Sequence, residues 1–261
     1  MNIVVCIKQV PETTSVKISK DTNTLMREGV KSIINPFDMY AIEEGLRIKE
    51  RFGGRVSAVS MGPPQAEEAL REAVSYGVDD AFLLSDRAFA GADTLATSRT
   101  LAKGIKKIGS FDLIICGKQA IDGDTAQVGP GIAEKLDMPF VAFVRKIREI
   151  SNRFIKVERM MDDGYDVMEI TLPSLITVVK EINEPRMPSL RGKMKSKSID
   201  IPTWGLADLE IGEDKVGLKG SATQVIKVFT PKRGGRREML EGSVETQVGL
   251  LINRLNDLKV V

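Results

Sequence analysis

The strongest constraint on this chain is a rhythm of short, wholly apolar runs separated by segments of helical periodicity. Ile3-Val4-Val5-Cys6-Ile7, within a strand expected over Asn2–Ile7, and Leu113-Ile114-Ile115-Cys116, within one over Asp112–Cys116, carry no polar residue. Such runs suit strands covered on both faces, which is how parallel sheets are built. Two more strands are expected at Arg55–Met61 and Ala81–Leu84. Between them lie helices. Asn35-Pro36-Phe37-Asp38 reads as a helix start, with Asn35 at the N-cap, Pro36 at the first helical position and Asp38 near the positive end of the dipole. Met39, Ile42 and Leu46 follow at helical spacing; Ala66, Ala69, Leu70 and Ala73 mark a second helix that stops at Gly77. Asp93 caps a third carrying Leu101, Ile105 and Ile108, and a fourth spans Val128 to Leu136. The alternation predicts an α/β fold with a doubly wound, mostly parallel sheet whose ligand crevice lies at the carboxyl ends of its strands.

From about Phe140 the rhythm changes. Phe140–Val144, Phe154–Arg159, Val167–Leu172 and Leu175–Val179 read as strands with short connections, the middle pair joined by an Asp162-Asp163-Gly164 turn. They are expected as an added antiparallel or mixed edge of the same sheet. After Asn183, Arg186, Arg191, Lys193, Lys195 and Lys197 occur with no acid among them, interrupted by Pro185, Pro188 and Gly192, as in a solvated loop or a docking site for an acidic partner anchored by Leu190. Beyond Trp204 the chain is polar and weakly patterned, includes the basic turn Lys232–Arg237, and closes in a helix carrying Val244, Val248, Leu251 and Leu255. The expected division is a nucleotide-binding domain over 1–185, a docking loop and linker over 186–203, and an arm over 204–261 that lies on another chain.

Composition removes whole classes of chemistry. There are 261 residues, 42% hydrophobic, enough for a sizeable core, and no histidine. Histidine-based triads, imidazole bases and His-ligated metals are therefore excluded. With Lys+Arg 38 against Asp+Glu 36 the formal charge is +2, which argues against a dedicated nucleic-acid binder. Cys6 and Cys116 sit in apolar runs and read as buried thiols of a reducing compartment. No apolar run approaches the roughly 20 residues that span a bilayer, and Met1-Asn2-Ile3 leads straight into a strand without a signal-like segment, so a cytoplasmic, non-membrane location is expected.

Four loops converge if the sheet is wound as predicted: those after Cys6-Ile7-Lys8, after Ser60-Met61-Gly62, around Gly91-Ala92-Asp93-Thr94, and after Cys116. The last runs Gly117-Lys118-Gln119-Ala120-Ile121-Asp122-Gly123-Asp124-Thr125-Ala126-Gln127-Val128 and combines glycines, amides, a hydroxyl and N–H donors entering a helix. That is a recipe for holding a phosphate or pyrophosphate, with the aspartates accepting from ribose hydroxyls or holding Mg²⁺; it is equally the composition of a long surface loop. The two best-known phosphate loops, G-x-x-x-x-G-K-[ST] and G-x-G-x-x-G, are absent. Asp93-Thr94 with Thr97 reads on its own as simple helix capping, and Met160 and Met161 as ordinary core or edge positions.

Cys6-Ile7-Lys8-Gln9-Val10, Asn35-Pro36-Phe37, Val59-Ser60-Met61-Gly62-Pro63, Gly117-Lys118-Gln119-Ala120-Ile121-Asp122, Val157-Glu158-Arg159 and Asn183-Glu184-Pro185-Arg186 together resemble the β subunit of electron-transfer flavoproteins, in family order over most of the chain. The resemblance implies a Rossmann-like, adenine-nucleotide-hydrolase-like domain and a heterodimer with an α subunit that carries a redox FAD. It implies nucleotide contacts from Cys6, Ile7, Lys8, Asn35, Ser60, Met61, Gly62, Asp93, Thr94, Thr97 and the run Cys116 to Val128. In simpler members the nucleotide is a structural AMP; in electron-bifurcating members it is a second FAD, reduced by NADH. Asp122-Gly123-Asp124-Thr125-Ala126-Gln127-Val128-Gly129-Pro130 and Gly91 to Thr97 resemble the FAD-binding branch, since Gly123 and Ala126 leave room, and Thr94 and Thr97 offer hydroxyls, for a pyrophosphate. Electrons would then pass to an acyl-CoA-type dehydrogenase through the α subunit and to ferredoxin or flavodoxin, with no side chain acting as acid or base. Pro188, Leu190 and Arg191 fall where the family keeps its dehydrogenase-docking loop. A stress-type nucleotide-binding protein on the same architecture is the rival outside this family.

Overall fold

A computed structural model describes residues 1–12, 17–18, 25–26, 32–226 and 238–260; the basic turn Lys232–Arg237 lies outside them. Among the described residues, nine strands form one sheet: β1 (Asn2–Cys6), β2 (Arg55–Met61), β3 (Asp80–Leu84), β4 (Leu113–Gly117), β5 (Phe140–Ile150), β6 (Phe154–Met160), β7 (Tyr165–Thr171), β8 (Ser174–Val178) and β9 (Thr203–Trp204). Their order across the sheet is β7-β6-β5-β8-β4-β1-β2-β3-β9. All neighbours are parallel except β5-β6 and β6-β7, which are antiparallel. Two short antiparallel pairs stand apart, Gln9–Pro11 with Ser32–Ile34 and Lys17–Ile18 with Leu25–Met26.

The apolar runs become strands buried on both faces because helices cover each face. Helices α1 (Pro36–Phe52) and α2 (Glu67–Tyr76) pack Ala41, Ile42, Leu46, Leu70 and Val74 against Ile3, Val5, Leu113 and Ile115. On the opposite face α3 (Thr94–Ile108) and α4 (Val128–Leu136) pack Leu101, Ile105, Ile132 and Ala133 against Val4, Cys6, Ile114 and Cys116. Truncating one of these leucines or isoleucines to alanine costs about 2–5 kcal/mol. This is the predicted doubly wound α/β fold.

Three expectations are corrected. The strand near residue 175 is no edge: every residue of β8 is buried, and the strand pairs in parallel with β4 on one side and β5 on the other. The added edge is therefore β5-β6-β7, turned by Met161 N–H donating to Gly164 O at 2.9 Å. The basic stretch after Pro188 is not a loop but α5 (Leu190–Ser198), capped by the Ser189 hydroxyl accepting from Gly192 N–H at 2.9 Å. The chain after 203 is not free of the domain either. β9 pairs with β3, Trp204 stacks on Phe82 with centroids 4.8 Å apart, and Leu209 and Val216 are buried. One compact unit accordingly runs from Met1 to Ile226, and a second from Lys227 to Val261. The second contains α6 (Val244–Asp257), whose Val244, Val248, Leu251 and Ile252 are exposed.

Candidate functional site

The sheet order places a switch point between β1 and β4. From β1 the chain winds outward through β2 and β3, then crosses to β4 on the other side of β1, beyond which β8 and β5 extend the sheet. Crevices open at such points, beyond the carboxyl ends of the strands. Here the walls are Ile7-Lys8 leaving β1 and the loop 118–127 leaving β4. Strand alternation puts Cys6, Met61 and Cys116 on the α3/α4 face and Gly117 on the α1 face.

The crevice loop is tied down by α1. Asn35 occupies the N-cap position as predicted, but its side chain does not cap the helix. Its amide instead donates to Gln119 O at 2.8 Å and to Asp38 Oδ1 at 3.0 Å, while its Oδ1 accepts from Ile121 N–H at 3.1 Å. Asp38 is buried and accepts from Lys8 N–H at 2.7 Å. Burial pushes its carboxyl up to about 7, although Asn35, Lys8 and Gly117 all favour the ionised form. Gly117 is required here: a Cβ would stand 2.3 Å from Asp38 Oδ1 and 2.7 Å from Phe37 C. The Lys8 ammonium then meets Asp122 at 2.6 Å and 2.8 Å.

The predicted site residues gather unevenly. Lys8, Asn35, Gln119, Ile121 and Asp122 form one connected network. Asp124 accepts from the Gln119 amide. The two loop aspartates are thus engaged by Lys8 and Gln119 and do not converge on a shared cation. Asp124 and Ala126 adopt positive φ of 52° and 55°, so the loop doubles back before α4, and the Gly123 Cβ position has no neighbour within 4 Å. Gly123 and Asp124 N–H both donate to Ala120 O, so those donors serve the loop itself.

Lys118 N–H donates to Val178 O, and its ammonium lies over the Phe143 ring at 5.4 Å. Gly62 N–H bonds Leu84 O at 3.0 Å, and the Ser60 hydroxyl is buried without a hydrogen-bond partner. Cys6 and Cys116 are free thiols side by side on paired strands, and the hydrogen bond between them, with burial, pushes the Cys116 thiol up.

At α3, Asp93 caps the helix by accepting from Ala96 N–H at 3.0 Å, and Thr94 donates to Gln127 Oε1 at 3.0 Å, joining α3 to the crevice loop. Thr97 N–H is spent on Asp93 O. The second Asp93 oxygen accepts from Thr223, and Asp93 N–H donates to the Ser221 hydroxyl, so the segment before residue 226 covers this terminus. Sequence reasoning missed Asp38 and this clasp. The Asn35-x-x-Asp38 spacing was a usable signal, because positions N-cap and N3 face each other in a helix's first turn. Nothing local marks Thr223.

Away from the crevice, α2 and α5 bound a shallow groove lined by Arg71, Leu190, Lys193 and Met194. Leu190 is 77% exposed, Arg191 is exposed and Pro188 is half-buried. Asn183 and Arg186 anchor this region to α1. Asn183 donates to Tyr40 O and Glu44, and Arg186 to Glu43 and Glu50. No helix among the described residues is long and apolar enough to cross a membrane.

Residues 22–209 match the family model described as the electron transfer flavoprotein domain. The chain is 51% identical over 264 residues, all of both chains, to the electron transfer flavoprotein subunit beta of Thermoanaerobacterium thermosaccharolyticum. It is 49% identical over 263 residues, again all of both chains, to the caffeyl-CoA reductase-Etf complex subunit CarD of Acetobacterium woodii. Against the protein FixA of Azotobacter vinelandii it is 48% identical over 248 residues, covering 92% of this chain and 88% of the other.

Proposed function

The chain belongs to the electron transfer flavoprotein family as a β subunit, and on that premise we propose that it pairs with an α subunit and holds FAD in the crevice between β1 and β4. The observation that carries this reading is the loop 118–127. It leaves the switch point, doubles back through left-handed Asp124 and Ala126, and keeps open space beside Gly123 where an extended pyrophosphate would run. A bound flavin would supply the redox chemistry, with NADH as hydride donor and with the α-subunit FAD, leading to an acyl-CoA-type dehydrogenase, and ferredoxin or flavodoxin as the two electron acceptors. The relative named as a subunit of a caffeyl-CoA reductase complex supports a CoA-linked partner.

This chain's own residues bind and position. Asn35 and Lys8 hold the loop, the N–H groups of the α4 N-terminus and those of the loop not spent within it would face the phosphates, and Thr94 with Gln127 sets the distance to α3. No side chain is required as acid or base, in keeping with a chain without histidine. Leu190, Arg191 and Pro188 on and before α5 form the dehydrogenase-docking surface, and α6 is the arm that lies on the α subunit.

A second reading, a structural AMP without redox chemistry in this chain, is favoured by one observation. Ser221 and Thr223 occupy Asp93, and Gln127 occupies Thr94, so the α3 terminus is already partnered without a ligand. The nucleotide released on denaturing the co-purified α/β complex separates the two. Two FAD per heterodimer supports the flavin reading; one FAD with one AMP replaces it with the scaffold reading.

A further inference from the structure

The hydrogen bonds around the crevice close on themselves. Asp38 Oδ2 accepts from Lys8 N–H at 2.7 Å, the Lys8 ammonium reaches Asp122 at 2.6 Å, Ile121 N–H donates to Asn35 Oδ1 at 3.1 Å, and the Asn35 amide returns to Asp38 Oδ1 at 3.0 Å. The same amide also reaches Gln119 O at 2.8 Å. Every group facing Asp38 in this circuit is a donor, so an ionised carboxylate satisfies all of them. Because the Asn35 nitrogen is drawn to Asp38, its oxygen is left to face Ile121. The carboxylate therefore decides which way round the amide sits, and through it where residues 119–122 lie.

We propose that Asp38 is a positioning residue of the nucleotide crevice, acting through Asn35 and Lys8 to hold the 118–127 loop in the conformation that binds the ligand. This deepens the proposed nucleotide site and rests on that reading. Asp38 need not touch the ligand: it is 6% exposed, behind Gly117.

The mechanism has a pH signature. The ionisable groups facing Asp38 are the Lys8 ammonium from the β1 exit and the Cys116 thiol from β4, which is raised and stays neutral. Burial pushes Asp38 up to about 7, so its carboxylate gains a proton on mild acidification. A protonated oxygen has a donor of its own and faces another donor, and the latch is lost. Nucleotide affinity should fall as pH drops through about 7 and recover above it.

The test uses the α/β complex, stripped of nucleotide and titrated with FAD and, separately, AMP at pH 6 and pH 8. The wild-type complex should bind one of them more tightly at pH 8. Asp38→Asn keeps the shape but turns an NH₂ toward a donor, so it should weaken binding by about tenfold or more and flatten the pH dependence. Lys8→Met opens the circuit at an exposed side chain and keeps the backbone N–H bond to Asp38, but removes an ammonium that favours the ionised carboxylate; it should weaken binding less and keep the pH dependence, moved to higher pH. Thermal unfolding of each ligand-free complex shows whether it is folded. If Asp38→Asn binds as the wild type does, or keeps the pH dependence, the positioning role is overturned while the nucleotide site stands. If the wild-type complex takes up neither FAD nor AMP in this subunit, the site reading itself falls. If Asp38→Asn does not fold, Lys8→Met decides: unchanged affinity overturns the latch.

Discussion

The Arg186 guanidinium closes on Glu43, 143 residues earlier in the chain, through contacts of 2.8 Å and 3.1 Å. Glu43 is buried in the middle of α1, and burial alone would raise its carboxyl. Arg186 and Arg47 outweigh that and hold it below the usual carboxylate range. The pair fixes the chain just ahead of α5, so an interaction inside the first unit determines where the α5 surface is presented.

Removing Arg186 leaves a buried carboxylate partly unpaired. Arg186→Met should lower the stability of the complex by about 1–3 kcal/mol in denaturant titrations. The effect has a defined pH window. Glu43 has a folded value below its ordinary 4.5, so its stabilisation is complete above that pH and is lost as pH falls through the folded value. The difference between wild type and Arg186→Met should therefore shrink on acidification below about 4.5; a constant difference would refute the assignment.

Gly117 and Gly123 make a contrasting pair. A Cβ at Gly117 strikes the backbone of Phe37 and Asp38 and must push α1 away, so Gly117→Ala should destabilise by about 1–3 kcal/mol or more. Gly123→Ala meets nothing and should leave thermal unfolding of the ligand-free complex unchanged. If the pyrophosphate runs beside it, Gly123→Ala should nonetheless weaken FAD retention. Unchanged retention would move the ligand path elsewhere.

Leu190 and Met194 are 77% and 67% exposed, so Leu190→Ala and Met194→Ala should change stability by no more than about 0.5 kcal/mol. On the docking reading they raise the apparent KM for the partner dehydrogenase while NADH-dependent reduction of the bound flavin is untouched. An unchanged KM in the double variant would remove α5 from the docking surface.

For α6 the expectation concerns assembly. Val248→Glu and Leu251→Glu place charges on its exposed apolar residues. They should reduce the yield of α subunit that co-purifies with this chain, measured by size-exclusion chromatography. A full-strength heterodimer from the double variant would show that α6 is not the arm.

Much of this molecule could be read from its residues. β2 was legible to its ends, Arg55–Met61, because a short run carrying Val56 and Val59 is bounded by Gly54 and Gly62. Asp93 announced its helix because the cap is local, the carboxylate bonding an N–H three residues on. What stayed hidden depends on partners distant in sequence. α5 has no apolar stripe to betray it; it is held by Arg71 donating to Ser196 O and Ile199 O and by Lys195 donating to Val78 O and Asp79 O. Trp204 looked like the start of a tail because the ring it stacks on, Phe82, lies on β3. Asn35 was legible as a helix start, but that its amide serves the crevice loop depends on Gln119 and Ile121, which only the folded sheet brings near.

The insertion of β8 between β4 and β5 has a consequence for how the chain is made. Ser174 sits opposite Leu113, and the whole β5-β6-β7 excursion is synthesised between them. As the polypeptide leaves the ribosome, β1, β2, β3 and β4 can assemble first, with one long margin of β4 unpaired until Val178 emerges. An unpaired apolar margin is a template for adventitious pairing between nascent chains. The hairpin of β6 and β7 forms from neighbouring residues in the meantime and delivers β8 to that margin, so the crevice floor is completed only in the last third of translation.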